Sequence, residues 1–147
     1  MIYKTVMQNF IIKVVSMLVL TSSAAHAQQI LSPKDDTVRW YYKQIENRVR
    51  SETVAQGGYF VSYGGKSFLW VQDGVERQYH FKTNSLQGDW RDSRKVGEMI
   101  YRVTCNGEKG TLRLIRRGRN FLVELNFLQA NKRTPHLMLL ITSINKI

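Results

Sequence analysis

Period-two alternation, broken by paired turn residues, restricts the fold more than any other feature of this chain. In "GYFVSYGGKSFLWVQDGVERQYHFK", residues 58–82, Gly64-Gly65 and Asp73-Gly74 separate three strand-length runs. Both dipeptides suit the primed turns whose twist matches a β-hairpin. Two-residue turns also set a register. Tyr59 is expected opposite Trp70 and Val61 opposite Phe68, then Phe68 opposite Tyr79 and Trp70 opposite Arg77. One face of this meander then collects Tyr59, Val61, Phe68, Trp70, Tyr79 and Phe81. Cross-strand aromatic pairs of this kind are expected to form a core face. The alternative is a stacking platform for sugar rings or bases, with Arg77 over Trp70.

The same alternation returns after residue 97 in "EMIYRVTC", "TLRLIRR", "NFLVELNF" and "HLMLLITSI", four further strands in a second meander. If Gly118-Arg119 form a type II′ turn, Arg113 lies opposite Glu124, Leu114 opposite Val123 and Leu112 opposite Leu125. Charge then meets charge, and Arg113 needs no ligand. Arg116, Arg117 and Arg119 are left clustered at the hairpin end, while Lys132 and Arg133, with Lys109, belong to the other end of the strand. The cluster reads first as a solvated tip and second as an anion site. The last strand is apolar on both faces, as expected of one that is internal or closes a barrel.

"SPKDDTVRWYYKQIENRVRSE", residues 32–52, reads as an N-terminal amphipathic helix. Ser32 caps, Pro33 fits the first turn, Asp35 completes a capping box, and Val38, Tyr41 or Tyr42, Ile45 and Val49 recur at helical spacing. Trp40 falls on the polar side and is expected to be covered by a neighbouring segment. Residues 83–97 show no sustained period and read as a loop, with Trp90 pinning it to the body. The expected architecture is α+β: the helix packs on about seven antiparallel strands forming a strongly bent sheet or small barrel. It resembles small exported barrel proteins, such as lipocalin-like domains and periplasmic inhibitors, in architecture and in no motif.

Residues 1–27 read as a cleaved secretory signal: Lys4 and Lys13, a short apolar run from Val14 to Leu20, and Ala25-His26-Ala27 as the cleavage site. That leaves 28–147 as one domain, with no later stretch apolar enough to span a bilayer. The destination is the periplasm or the exterior. The single Cys105 has no partner for an internal disulfide and reads as a small buried hydrophobe. Charge is uneven: residues 28–90 hold eight Lys/Arg against seven Asp/Glu, residues 91–147 twelve against four. Such a half attracts polyanions at low salt.

No HExxH, P-loop, nucleotide fingerprint, G-x-S-x-G elbow or zinc spacing occurs, so neither metal nor cofactor is expected. Asp89 and Asp92 stand beside Arg91 and Arg94 and read as surface ion pairs rather than a catalytic pair. The expected function is a noncatalytic exported binding module. Its partner is an acidic polymer, anionic lipid or acidic protein, nucleic acid being unlikely in vivo. Arg116, Arg117, Arg119, Lys132 and Arg133 would supply charge, and Trp90 and Trp40 an aromatic contact. The alternative is a carrier of a small apolar ligand inside a barrel or sheet-helix cavity.

Overall fold

A computed structural model describes residues 30–74, 76, 78–127 and 136–147. The expected signal segment, Arg77, Lys132 and Arg133 lie outside these residues. The strands are β1 (Thr37–Asn47), β2 (Glu52–Val54), β3 (Gly58–Tyr63), β4 (Ser67–Gln72), β5 (Gln78–Gln87), β6 (Gly97–Cys105), β7 (Glu108–Arg117), β8 (Asn120–Phe127) and β9 (His136–Lys146). Sequential antiparallel pairing runs from β1 through β3 to β9, and β9 returns to β1. The result is an eight-stranded up-and-down barrel, with β2 as a short extra strand on the end of β1.

The expected α+β class is therefore wrong: the described residues are all-β, and the segment taken for a helix is β1 with the turns on either side of it and the first residue of β2. The capping residues do act, but for one turn only. Ser32 accepts backbone hydrogen bonds from Asp35 and Asp36, and its own N–H donates to the Asp36 carboxylate at 2.8 Å. From Thr37 the chain is dense in β-branched and aromatic residues, which suit a pleated surface better than a helix. Val38, Trp40 and Tyr42 point inward and Arg39, Tyr41 and Lys43 outward, a plain alternation. A bulge then sets two residues, Tyr42 to Gln44, against one step on β9, Ile141 to Leu140. The extra residue switches phase and brings Ile45 inward. A bulged strand thus places apolar residues at 38, 42 and 45, the spacing of a helix.

The first meander exists with a different register. Gly64 and Gly65 are both left-handed, as a primed turn requires. Lys66, however, adds a third residue to the connection, and its carbonyl accepts from Thr83. Phe60 therefore faces Trp70 and Ser62 faces Phe68, so Phe60 enters the barrel interior while Tyr59 and Val61 turn to the outer wall, where Val61 is nonetheless buried. The second connection is also longer than two residues: Trp70 faces Tyr79 and Phe68 faces Phe81. The irregular stretch is shorter than expected, because β5 continues to Gln87 past a bulge at Asn84.

The second meander has the register read from its sequence: Arg113 opposite Glu124, Leu114 opposite Val123, Leu112 opposite Leu125. Gly118 carries the positive φ of 60° that opens a type II′ turn. β9 closes the barrel, with Leu139 in the core and Met138 on the outer wall. Aromatic and aliphatic side chains from all eight staves fill the interior, among them Trp40, Phe60, Phe68, Tyr101, Leu112 and Leu125.

Candidate ligand cavity

The two ends of the barrel are finished differently. At the end where β1 begins, the loop of residues 88–96 folds Trp90 inward against Trp40 and Phe121, with ring centroids 6.4 and 6.2 Å away. The Trp90 indole N–H donates to the carbonyl of Asp92 at 2.8 Å, and its backbone carbonyl accepts from Lys34. Gly97 provides the seat, since a Cβ there would lie 2.4 Å from the indole. This end is plugged.

The opposite end holds a cavity of about 420 Å³. Trp70 and Gln72 of β4, Tyr79 and Phe81 of β5, Cys105 of β6, Phe127 of β8 and Leu137 of β9 line it, with Asn106 and Glu108 at its rim. Two stacked pairs make most of the wall: Trp70 on Tyr79, with centroids 5.1 Å apart, and Phe81 on Phe127, 5.6 Å apart. Trp70 is held in orientation by its indole N–H, which donates to the Tyr42 hydroxyl at 2.8 Å. That hydroxyl donates in turn to the Val71 carbonyl. Burial pushes the Tyr42 pKa up to about 12, so the phenol stays a neutral donor. Burial, with Glu108 adding to it, likewise raises the Cys105 thiol, which keeps it protonated.

Phe127 sits where it does because β7 has Gly110 directly opposite. A Cβ at Gly110 would come within 2.6 Å of the Phe127 ring and 2.7 Å of the Asn126 carbonyl. Gly110→Ala is expected to drive Phe127 toward the cavity and to cost about 1–3 kcal/mol of stability. Urea unfolding measures the cost.

The residues singled out from the sequence fall elsewhere. Trp40 is 0% exposed and Trp90 4%, so both rings belong to the plug and core and present no face to a partner. Arg116 is half-buried: its guanidinium donates to the carbonyls of Ser93 and Gly118 and lies 4.9 Å over the Phe121 ring. It fastens the plug loop to the β7–β8 hairpin. Arg117 and Arg119 are exposed and make no ion pair among the described residues. The structure thus separates this triad into one internal clamp and two outward charges. Asp89 is held by Lys34 and Arg91, and Asp92 by Arg94. Hydrogen bonds from Arg94 hold the Asp92 carboxyl down at about 2. On the outer wall a second depression of about 150 Å³, lined by Thr111, Arg113, Glu124, Asn126 and His136, has its charges already paired to one another.

Sequence reading missed the cavity wall as a set, although it had placed Phe68, Trp70, Tyr79 and Phe81 on one sheet face. Gly110 opposite Phe127 was the available sign, a glycine in a strand where an aromatic ring needs room. Comparison with family models, with curated proteins and with solved structures finds no match.

Proposed function

We propose that this protein is a noncatalytic, exported binding protein that holds a small apolar ligand in the cavity end of its barrel. The asymmetry of the two ends carries the reading. One mouth is sealed by Trp90, whereas the other keeps about 420 Å³ walled by two aromatic stacks and Leu137. That volume falls within the roughly 300–1,000 Å³ typical of small-molecule sites, and apolar walls with a few polar groups at the rim are their usual make-up. Flat walls favour a ligand with a planar ring. The outer wall, by contrast, carries Arg39, Lys43, Arg102, Arg113 and Glu124. Apolar residues, among them Tyr41, Tyr59, Leu69 and Leu140, stand between these charges on the same wall.

The neutral dye N-phenyl-1-naphthylamine tests the reading. The chain from Gln28 onward is expected to bind it saturably, to change Trp70 emission, and to respond little to salt, because ring burial is not screened. Gln72→Trp, which fills the cavity from its rim, is expected to weaken binding at least about tenfold. Alkylation of Cys105 should slow when the dye is bound. Dye binding that is unchanged in Gln72→Trp removes the cavity as the site.

A second reading, recognition of an acidic partner by the basic half, is favoured by Arg117 and Arg119, exposed with no acid beside them among the described residues.

A further inference from the structure

The plugged end has a composition unlike the rest of the surface. Strand direction brings to it the residues before β1, the β3–β4 turn, the 88–96 loop, the β7–β8 turn and the end of β9. Hydrogen bonds knit these segments together: Lys34 to Trp90, Gly64 to Asp36, Ser93 to Leu31, and Ile147 to Thr37.

Four acids lie here, and a base holds each: Asp35 by Arg91, Asp36 by Lys146, Asp89 by Lys34 and Arg91, Asp92 by Arg94. Glu98, at the start of β6, is paired to Arg113. Lys66, Lys95, Arg117 and Arg119 are exposed and make no ion pair among the described residues, Lys95 acting on Asp92 only at a distance. The end therefore carries an uncompensated positive charge.

Apolar side chains stand in the same place. Seven large hydrophobic residues are substantially exposed among the described residues, and five of them, Ile30, Tyr63, Leu86, Val96 and Ile147, belong to this end. Val96, next to Lys95, is 72% exposed. Leu86 lies on the part of β5 that runs beyond its pairing with β4.

We infer that the plugged end docks on an anionic lipid bilayer, with the cavity directed away from it. This narrows the acidic-partner reading above, on which it rests, to lipid. Free cations alone suit any polyanion, but protruding valine, leucine, isoleucine and tyrosine side chains add nothing to a hydrated polymer. A bilayer interface takes up both kinds of group, headgroups the charge and the acyl boundary the apolar tips.

Co-sedimentation with vesicles tests this, using the chain from Gln28 onward, which keeps every described core residue from Leu31 on. Equal mixtures of phosphatidylglycerol and phosphatidylcholine are compared with phosphatidylcholine alone, and with soluble polyphosphate. Binding is expected to the mixed vesicles, weaker at high salt. The Arg117→Ser/Arg119→Ser variant should bind about 25-fold less, at roughly fivefold per cation. Val96→Ser should lose about fivefold on vesicles and nothing on polyphosphate. Lys109→Ser, at the cavity end, should change neither. Equal loss from Lys109→Ser, or vesicle binding indifferent to Val96→Ser, overturns lipid docking while leaving an acidic partner in place. No binding to vesicles or to polyphosphate overturns both, and dye binding at the other end stands or falls separately.

Discussion

Trp90→Ala is expected to lower the unfolding free energy by about 3–5 kcal/mol, the range for removing a buried large aromatic residue. The indole is 4% exposed and meets both Trp40 and Phe121, so truncation leaves a void bounded by rings that cannot collapse into it. Its N–H also donates to the Asp92 and Lys95 carbonyls, which lose their donor. The other ties of the 88–96 loop are polar and mostly exposed: Arg116 on the Ser93 carbonyl, Ser93 to Leu31, Lys34 to the Trp90 carbonyl, and the ion pairs of Asp89 with Lys34 and of Arg91 with Asp35. Urea unfolding followed by circular dichroism measures the loss. Gly97→Ala should act in the same direction, since its Cβ would overlap the indole that Gly97 now seats. Dye affinity at the far end should stay within about threefold in any Trp90→Ala molecules that remain folded, because the rings that Trp90 meets, Trp40 and Phe121, do not line the cavity. A loss of less than about 1 kcal/mol would mean that the loop is not anchored through this ring.

Local turn chemistry carried as much of the fold as the turns themselves controlled. The β7–β8 register was legible because Gly118-Arg119 is a true two-residue turn and the pairs it implies, Arg113 with Glu124 and Leu114 with Val123, agree with one another. At Gly64-Gly65 the turn type was right and the register was not, because Lys66 joins the connection to serve β5, a tertiary demand invisible in the hairpin's own sequence. β1 failed for a different reason. A capping box that forms one real turn was followed by a bulged strand whose inward residues imitate helical spacing, and the β-branched and aromatic density from Thr37 to Tyr42 was the evidence to weigh against it. Burial decided the site residues, and burial depends on partners distant in sequence. Arg116 and Trp90 look like neighbours of solvent in one dimension, yet they hold each other's elements in place across the plug.

The outer wall supplies the second large effect. Glu98 of β6, Arg113 of β7, Glu124 of β8 and His136 of β9 form one chain of charge across four staves, with His136 Nε2 2.6 Å from Glu124 Oε1. Arg113→Leu should cost about 2–3 kcal/mol, less than for a fully buried pair because the guanidinium retains some contact with water. The pH dependence distinguishes this from loss of packing. Burial pushes the Glu124 carboxyl upward, but His136 and Arg113 more than offset it and hold the group below its ordinary 4.5. A folded pKa below the unfolded one means that Glu124 contributes stability above about pH 4.5, and that this contribution is lost as pH falls through the folded value. Without Arg113 the upward push of burial is opposed by His136 alone. The variant should therefore begin to lose stability at higher pH than the parent, in urea unfolding between about pH 3 and pH 7. A uniform loss across that range would show that the alkyl stem of Arg113 matters and its charge does not. Arg113→Leu/Glu124→Leu should recover much of the single variant's loss, since it removes the stranded carboxylate and sets two apolar side chains opposite each other beside Ile115 and Leu122.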